Sequence, residues 1–326
     1  MRELIVDEPA AEGDIESPPA ARYWLHILLF ALAFLSSTIV GARLHYNFQH
    51  DLPIFGAGEG PAGDAYPLRW VLRNPGELLH GVPFSLCLLA FFLAHEFGHY
   101  AYCRKHGVDA TLPFFLPFPT LIGMLGAVIK IRAPFRNRRA LFDIGVAGPI
   151  AGMCVALPLV TVGLMWSKPL MASAYDENLI FGTPLLMRLL MHHRVGLSQI
   201  QPHPLLVAGW VGSFATALNL LPSGQLDGGH ILYALTPGLQ RTLSLVTAVV
   251  LVGLGLFCWT GWLVWGAILL LPFFRHPVVP RAPGLSRAQG WVAVLALVIF
   301  VLTFHPAPFQ GQSAVQLGRD WWHSRK

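Results

Sequence analysis

The sequence predicts an all-α polytopic membrane protein of about six or seven transmembrane helices, with a re-entrant loop or short β-hairpin beside its most polar buried segment. Three observations predict it. Of 326 residues, 54% are hydrophobic and only 12% charged, against about a quarter charged in a soluble chain. Several apolar runs reach the roughly 20 residues that cross a bilayer as a helix. The basic residues collect in short segments beside those runs, the pattern of cytoplasmic loops. The net charge of +5 therefore points to the lipid bilayer as a partner and not to nucleic acid.

Residues 1–21 carry six acids with alanines and prolines and read as a disordered cytoplasmic tail. They lack the basic start of a secretory signal, and a transit peptide is poor in acids. One membrane-embedded domain is expected over residues 22–304, with a polar tail over 305–326. The first span is Tyr23–Val40, flanked by Arg22 and Arg43, followed by an irregular connection over 44–80. The second is 82–103. Arg104, Lys105, Lys130, Arg132, Arg136, Arg138 and Arg139 follow it as the densest basic cluster, so this loop and the amino terminus are expected on the cytoplasmic side.

Pro113, Pro117, Pro119, Gly123 and Gly126 break the apolar stretch 111–135 too often for a helix. Val128–Arg132 then alternates as a strand does. Such backbone survives near a membrane only when buried in protein or lining a cavity, hence the predicted loop or hairpin. The third span, 141–166, opens with Gly145, Gly148 and Gly152, a stripe that lets another helix approach closely. An outer connection over 167–203 holds a short interfacial helix near Leu185–Met191 and a solvated His192-His193 pair, since adjacent helical residues share no face. The fourth span, 205–221, ends at Pro222 and Gly224, which break the helix, while Gly228-Gly229 allow a tight turn. The apolar run 243–271 has Trp259-Thr260-Gly261-Trp262 near its middle and reads as two spans, 243–258 and 260–272. Residues 291–304 close the set. The four cysteines have no ligand spacing and read as small buried apolar side chains.

The chemistry starts in the second span. His95-Glu96-Phe97-Gly98-His99 puts two imidazoles one helical turn apart, able to bind one Zn²⁺ with the glutamate placed to act on water. From Val82 to Tyr102 the only formal charge is Glu96, so three polar side chains would otherwise sit in lipid uncompensated. A catalytic zinc takes three protein ligands and leaves a fourth position open. Asp227 follows the broken helix and is the sole acid between Glu177 and Asp320, so it is the candidate third ligand. Asn219 either holds substrate backbone or a developing oxyanion, or caps the broken helix end.

Together, His95–His99 and Asn219-Leu-Leu-Pro222-Ser-Gly-Gln-Leu226-Asp227-Gly228 resemble the paired motifs of the site-2 protease family of intramembrane zinc metalloproteases. The resemblance covers about Phe84 to Leu235. It implies one zinc ion held by His95, His99 and Asp227, Glu96 as catalytic base and Asn219 in substrate positioning. It also implies hydrolysis of a peptide bond in or near a transmembrane segment of another membrane protein. No inserted peptide-binding domain is visible between the motifs, which is similar to bacterial and plastid-type members, and a bacterial inner membrane is expected with the site toward the cytoplasm. Two rivals stand beside this reading. One is a membrane zincin that trims prenylated or misfolded proteins, which takes a downstream glutamate that this chain lacks after Glu177. The other is a non-catalytic metal-binding membrane protein built on its 14 histidines.

Overall fold

Apolar helices of 10 to 29 residues carry the fold, because in lipid every backbone polar group must be satisfied within the segment. The computed structural model describes residues 23–55, 66–171, 181–191, 199–271, 276, 278–280, 282, 284–309 and 313–323. The tail 1–21 and the His192-His193 pair lie outside these residues. The helices are α1 (Tyr23–Gln49), α2 (Leu68–Arg73), α3 (Val82–Lys105), α4 (Arg138–Trp166), α5 (Leu185–Leu190), α6 (Pro204–Asn219), α7 (Asp227–Leu235), α8 (Gln240–Phe257), α9 (Gly261–Leu270), α10 (Arg287–Thr303) and α11 (Ala314–His323). Four helical stretches are long and apolar enough to cross a membrane: α1, Pro75–Lys105, α4 and α8. Helices α6, α9 and α10 are shorter and apolar. The chain is an integral, polytopic, all-α membrane protein.

Several stretches differ from the sequence reading. The first helix does not stop at Val40 but runs to Gln49, because Leu44 and Phe48 are buried there and Arg43 lies over the Trp70 ring at 4.7 Å. The following connection is also less irregular than expected. It contains α2 and a 3-10 helix over Pro75–Gly81 that runs straight into α3. Within the segment read as a polar tail, Ala314–His323 is helical, and Ser313 and Gln316 bond across its first turn.

The broken segment 111–135 is a hairpin, β1 (Phe114–Pro117) antiparallel to β2 (Met124–Val128). The strand expected at Val128–Arg132 therefore lies four residues earlier. Residues beyond Val128 stay extended but bond to a different stretch: Thr111 N–H donates to the Lys130 carbonyl at 3.0 Å and Arg132 N–H to Asp109 at 2.9 Å. Gly123 makes the turn at φ +81°, and a β-carbon there would lie 2.5 Å from the Ser36 carbonyl of α1, so only glycine fits. His26 of α1 stacks on Phe114 at 3.9 Å, and Gly126 passes under the Phe92 ring of α3. The hairpin is thus wedged between α1 and α3. A second, two-residue ladder joins β3 (Lys168–Pro169) to β4 (Ile200–Gln201) in the outer connection.

The principal core gathers Leu88, Phe91, Phe92, Ala156, Val160, Leu206 and Val207 from α3, α4 and α6. The helices approach through glycines: Gly163 and Gly209 leave room only for the facing backbone of α6 and α4. This is the small-residue packing that substitutes in lipid for a hydrophobic driving force between helices. All four cysteines are free.

Candidate metal centre

Helix α3 presents His95, Glu96 and His99 to the bundle interior, all buried. The imidazoles fit between the helices because Gly148 and Gly152 of α4 lie opposite them. A β-carbon at 152 would sit 3.2 Å from His95 Nδ1, and one at 148 would fall on His99 Nε2. Gly145 one turn earlier faces His230 and the Asp227 carbonyl. The glycine stripe read as a packing face is also what makes room for the site.

The second half arrives from a broken helix. α6 ends at Asn219, and Gly224 at φ +57° reverses the loop. Helix α7 then begins with Asp227 itself, whose carboxylate gains from the positive helix end. Gly228 and Gly229 are not a turn, as the sequence suggested. They are the next helical residues, and their missing β-carbons let the Leu220, Ser223 and Gly224 carbonyls press against α7.

The outcome is a tight polar triangle. His95 Nε2 and His99 Nε2 are 3.2 Å apart, and each is 3.3 Å from Asp227 Oδ2. Three atoms that offer lone pairs converge here. The spacing is wide for a charge-assisted hydrogen bond at about 2.7–2.9 Å. It matches the edge of a tetrahedron whose arms are about 2.0–2.1 Å, which is about 3.3–3.4 Å. His99 Nδ1 lies 2.7 Å from the Ile144 carbonyl, a bond that places the proton on Nδ1 and leaves Nε2 free to coordinate. The donor set of two imidazoles and a carboxylate therefore fits one divalent cation, and the sequence had named all three.

Glu96 Oε2 accepts from Ile129 N–H at 2.9 Å, so the stretch just past β2 holds the carboxylate. Asn219 Nδ2 lies 3.1 Å from His95 Nε2, so its side chain lines the site. Sequence reasoning missed two further partners. His230 Nδ1 is 2.8 Å from His276 Nε2, and its place one turn after Asp227 was the available signal. The Ile129 backbone contact has no side-chain signature at all.

The bundle thus encloses two histidines, an aspartate and an adjacent glutamate as a candidate metal centre. A model of peptidase family M50 matches residues 83–259, and the chain belongs to that family. The chain is 32% identical over 345 residues to the probable zinc metalloprotease EGY1, chloroplastic, of Oryza sativa subsp. japonica, covering 97% of this chain and 58% of the relative. It is 32% identical to EGY1 of Arabidopsis thaliana, covering 69% of this chain and 43% of the relative. It is 28% identical to EGY2 of Arabidopsis thaliana, over 74% of this chain and 45% of the relative. The chain spans about half the length of these relatives.

Proposed function

We propose that the protein is an intramembrane zinc metalloprotease that hydrolyses a peptide bond in or near a transmembrane segment of another membrane protein. The observation that carries it is the triangle of His95 Nε2, His99 Nε2 and Asp227 Oδ2 with Glu96 on the same helix. These three residues would hold the ion. Zinc, when bound, supplies a Lewis acid that polarises a carbonyl and brings the pKa of water toward about 7. Glu96 takes a proton from the attacking water and delivers it to the leaving amine, which balances the hydrolysis. Its bond to Ile129 N–H fixes the carboxylate for both transfers. Asn219 turns an amide donor into the site and positions the substrate carbonyl. β2 has a single sheet neighbour among the described residues, β1, so an unwound substrate segment would add to its other edge by backbone pairing.

Two features support this over the rivals: the family match, and a third ligand from Asp227 in a chain without later glutamates. The basic residues gathered at one end of the bundle support a site on the cytoplasmic side of its membrane. The named relatives are chloroplastic. The deciding experiment compares wild type with Glu96→Gln on a single-span substrate in lipid, with bound zinc measured in parallel. Loss of cleavage by about 10²–10⁴-fold with zinc retained is expected. Equal processing by the two proteins overturns the reading.

A further inference from the structure

A groove runs along the outer face of α3, away from the imidazoles. Ala94, Gly98 and Ala101 of α3, Ala147 and Ala151 of α4, and Val292 of α10 line a cavity of about 390 Å³. Gly98 forms its floor, since a β-carbon there would lie 2.6 Å from the Ala147 carbonyl. One end is closed by polar groups. Asp143 accepts from Gln289 Nε2 at 2.8 Å and stands 2.9 Å from His106 Nε2. This three-way contact brings together the end of α3 and the starts of α4 and α10.

The same end is basic. Arg104 and Lys105 finish α3, Arg139 lies in the first turn of α4, and Arg287 begins α10. All four are exposed. Arg139 Nε donates to the Gly284 carbonyl at 2.6 Å, and Lys105 lies over the Tyr102 ring at 4.7 Å. The acids close by are already engaged: Asp143 as above, and Asp109 with Arg132 at 3.8 Å. The four cations form no ion pair among the described residues.

The geometry points to a binding site for an anionic phospholipid, with one acyl chain in the α3–α4–α10 groove and its phosphate on Arg104, Lys105 and Arg287. Three physical points select this occupant. The groove is apolar and lies at membrane depth on a spanning helix, where the filling medium is hydrocarbon. Its volume is in the range of sites for one small apolar ligand, whereas a transmembrane helix about 10 Å across and 30 Å long enters only along a ridge. Basic clusters at the ends of spanning helices attract anionic headgroups, by about 1 kcal/mol per cation. The site is separate from the metal centre and does not depend on the proteolytic reading.

The test uses the whole chain, purified in detergent, stripped of lipid and re-exposed to phosphatidylglycerol or phosphatidylcholine. Lipid retained per protein is read by native mass spectrometry, and the melting temperature reports on the fold. Wild type should retain phosphatidylglycerol at least roughly tenfold better than phosphatidylcholine. Ala101→Trp fills the groove from α3 and Val292→Trp from α10; both should lose both lipids while melting as wild type. The triple variant Arg104→Gln, Lys105→Gln, Arg287→Gln should keep lipid but lose the preference. Equal retention of the two lipids by wild type overturns the assignment, as does unchanged retention in both groove variants. Displacement of bound lipid by a single-span peptide would give the groove to a helix and overturn it equally.

Discussion

The helices that enclose the polar site and those at the far side of the bundle meet lipid on different terms. Half of the apolar window of α4 is buried, against 22% for α8. α3 and α4 meet through Gly98, Gly148 and Gly152, each with protein atoms where a β-carbon would stand. On α8, Val246, Val249, Val250 and Phe257 point outward and are exposed, and Gly253 has nothing near its missing β-carbon. The cause is the polarity of the cargo. Two imidazoles and two carboxylates must be hidden from hydrocarbon on every side, so the helices around them are fixed to atomic tolerance. A helix that carries only apolar groups needs one buried stripe, here Ala248 and Leu251 against Trp262, and lipid fills the rest.

One chemical change applied in both regions breaks or sharpens this contrast most. Gly148→Ala puts a methyl on His99 Nε2, the candidate ligating nitrogen. We expect it to lower zinc affinity and cleavage by at least about 10–100-fold, the range for groups that orient a ligand. Gly253→Ala on α8 should leave both unchanged and raise stability by up to about 1 kcal/mol, since alanine favours helix over glycine. Zinc titration and melting curves on the pair decide it. Wild-type zinc affinity in Gly148→Ala would show that the glycine stripe is packing alone.

Side-chain truncation gives the next largest contrast. Phe91 is 1% exposed, with Gly212 and Gly152 pressed against its ring and its centroid 5.0 Å from that of Phe92. Phe91→Ala should cost about 3–5 kcal/mol through the cavity it leaves. Val249 is 62% exposed, and Val249→Ala should stay within about 0.5 kcal/mol. Unfolding in mixed micelles measures both. Similar losses for the two would mean that the two halves of the bundle are equally well packed.

The contrast also explains what could be read from the residues alone. Hydrophobic run lengths mark helices whether or not they are enclosed, so all-α membrane architecture was legible from composition. The candidate metal ligands were legible because a histidine or aspartate in an apolar run has few other reasons to be there: His95, His99 and Asp227 each stand out against their neighbours, and the structure brings the three together. Groups that act through the backbone left no such mark. Ile129 N–H binds Glu96, yet isoleucine offers that donor anywhere. The strand position differs for a related reason: Val128–Arg132 alternates in character, but the glycine turn at 123 sets the register, so the continuous ladder ends at Val128 and only an isolated bridge, Ala110 with Ile131, follows. α1 outran its expected end because Leu44 and Phe48 are held by packing that a local pattern does not reveal.

The smallest expected effect lies at the end of α6 remote from Asn219 and tests whether tight tolerance extends there. His203 precedes α6, and its Nδ1 accepts from Leu205 N–H at 3.2 Å, which requires the neutral ring. Burial, then the neighbouring His45 and Lys168, pushes its pKa down from 6.5 to about 4. A base whose pKa falls on folding binds its proton more readily in the unfolded chain, so the stability it contributes is complete above pH 6.5 and is lost as pH falls toward 4. Wild type should therefore lose melting temperature through this window. His203→Asn supplies a cap that does not titrate and should flatten that part of the profile. Because the residue sits outside the polar triangle, zinc occupancy at neutral pH should be the same in both proteins. A variant whose acid profile matches wild type would place the pH sensitivity elsewhere; one that loses zinc at neutral pH would show that the outer end of α6 is coupled to Asn219 at its other end.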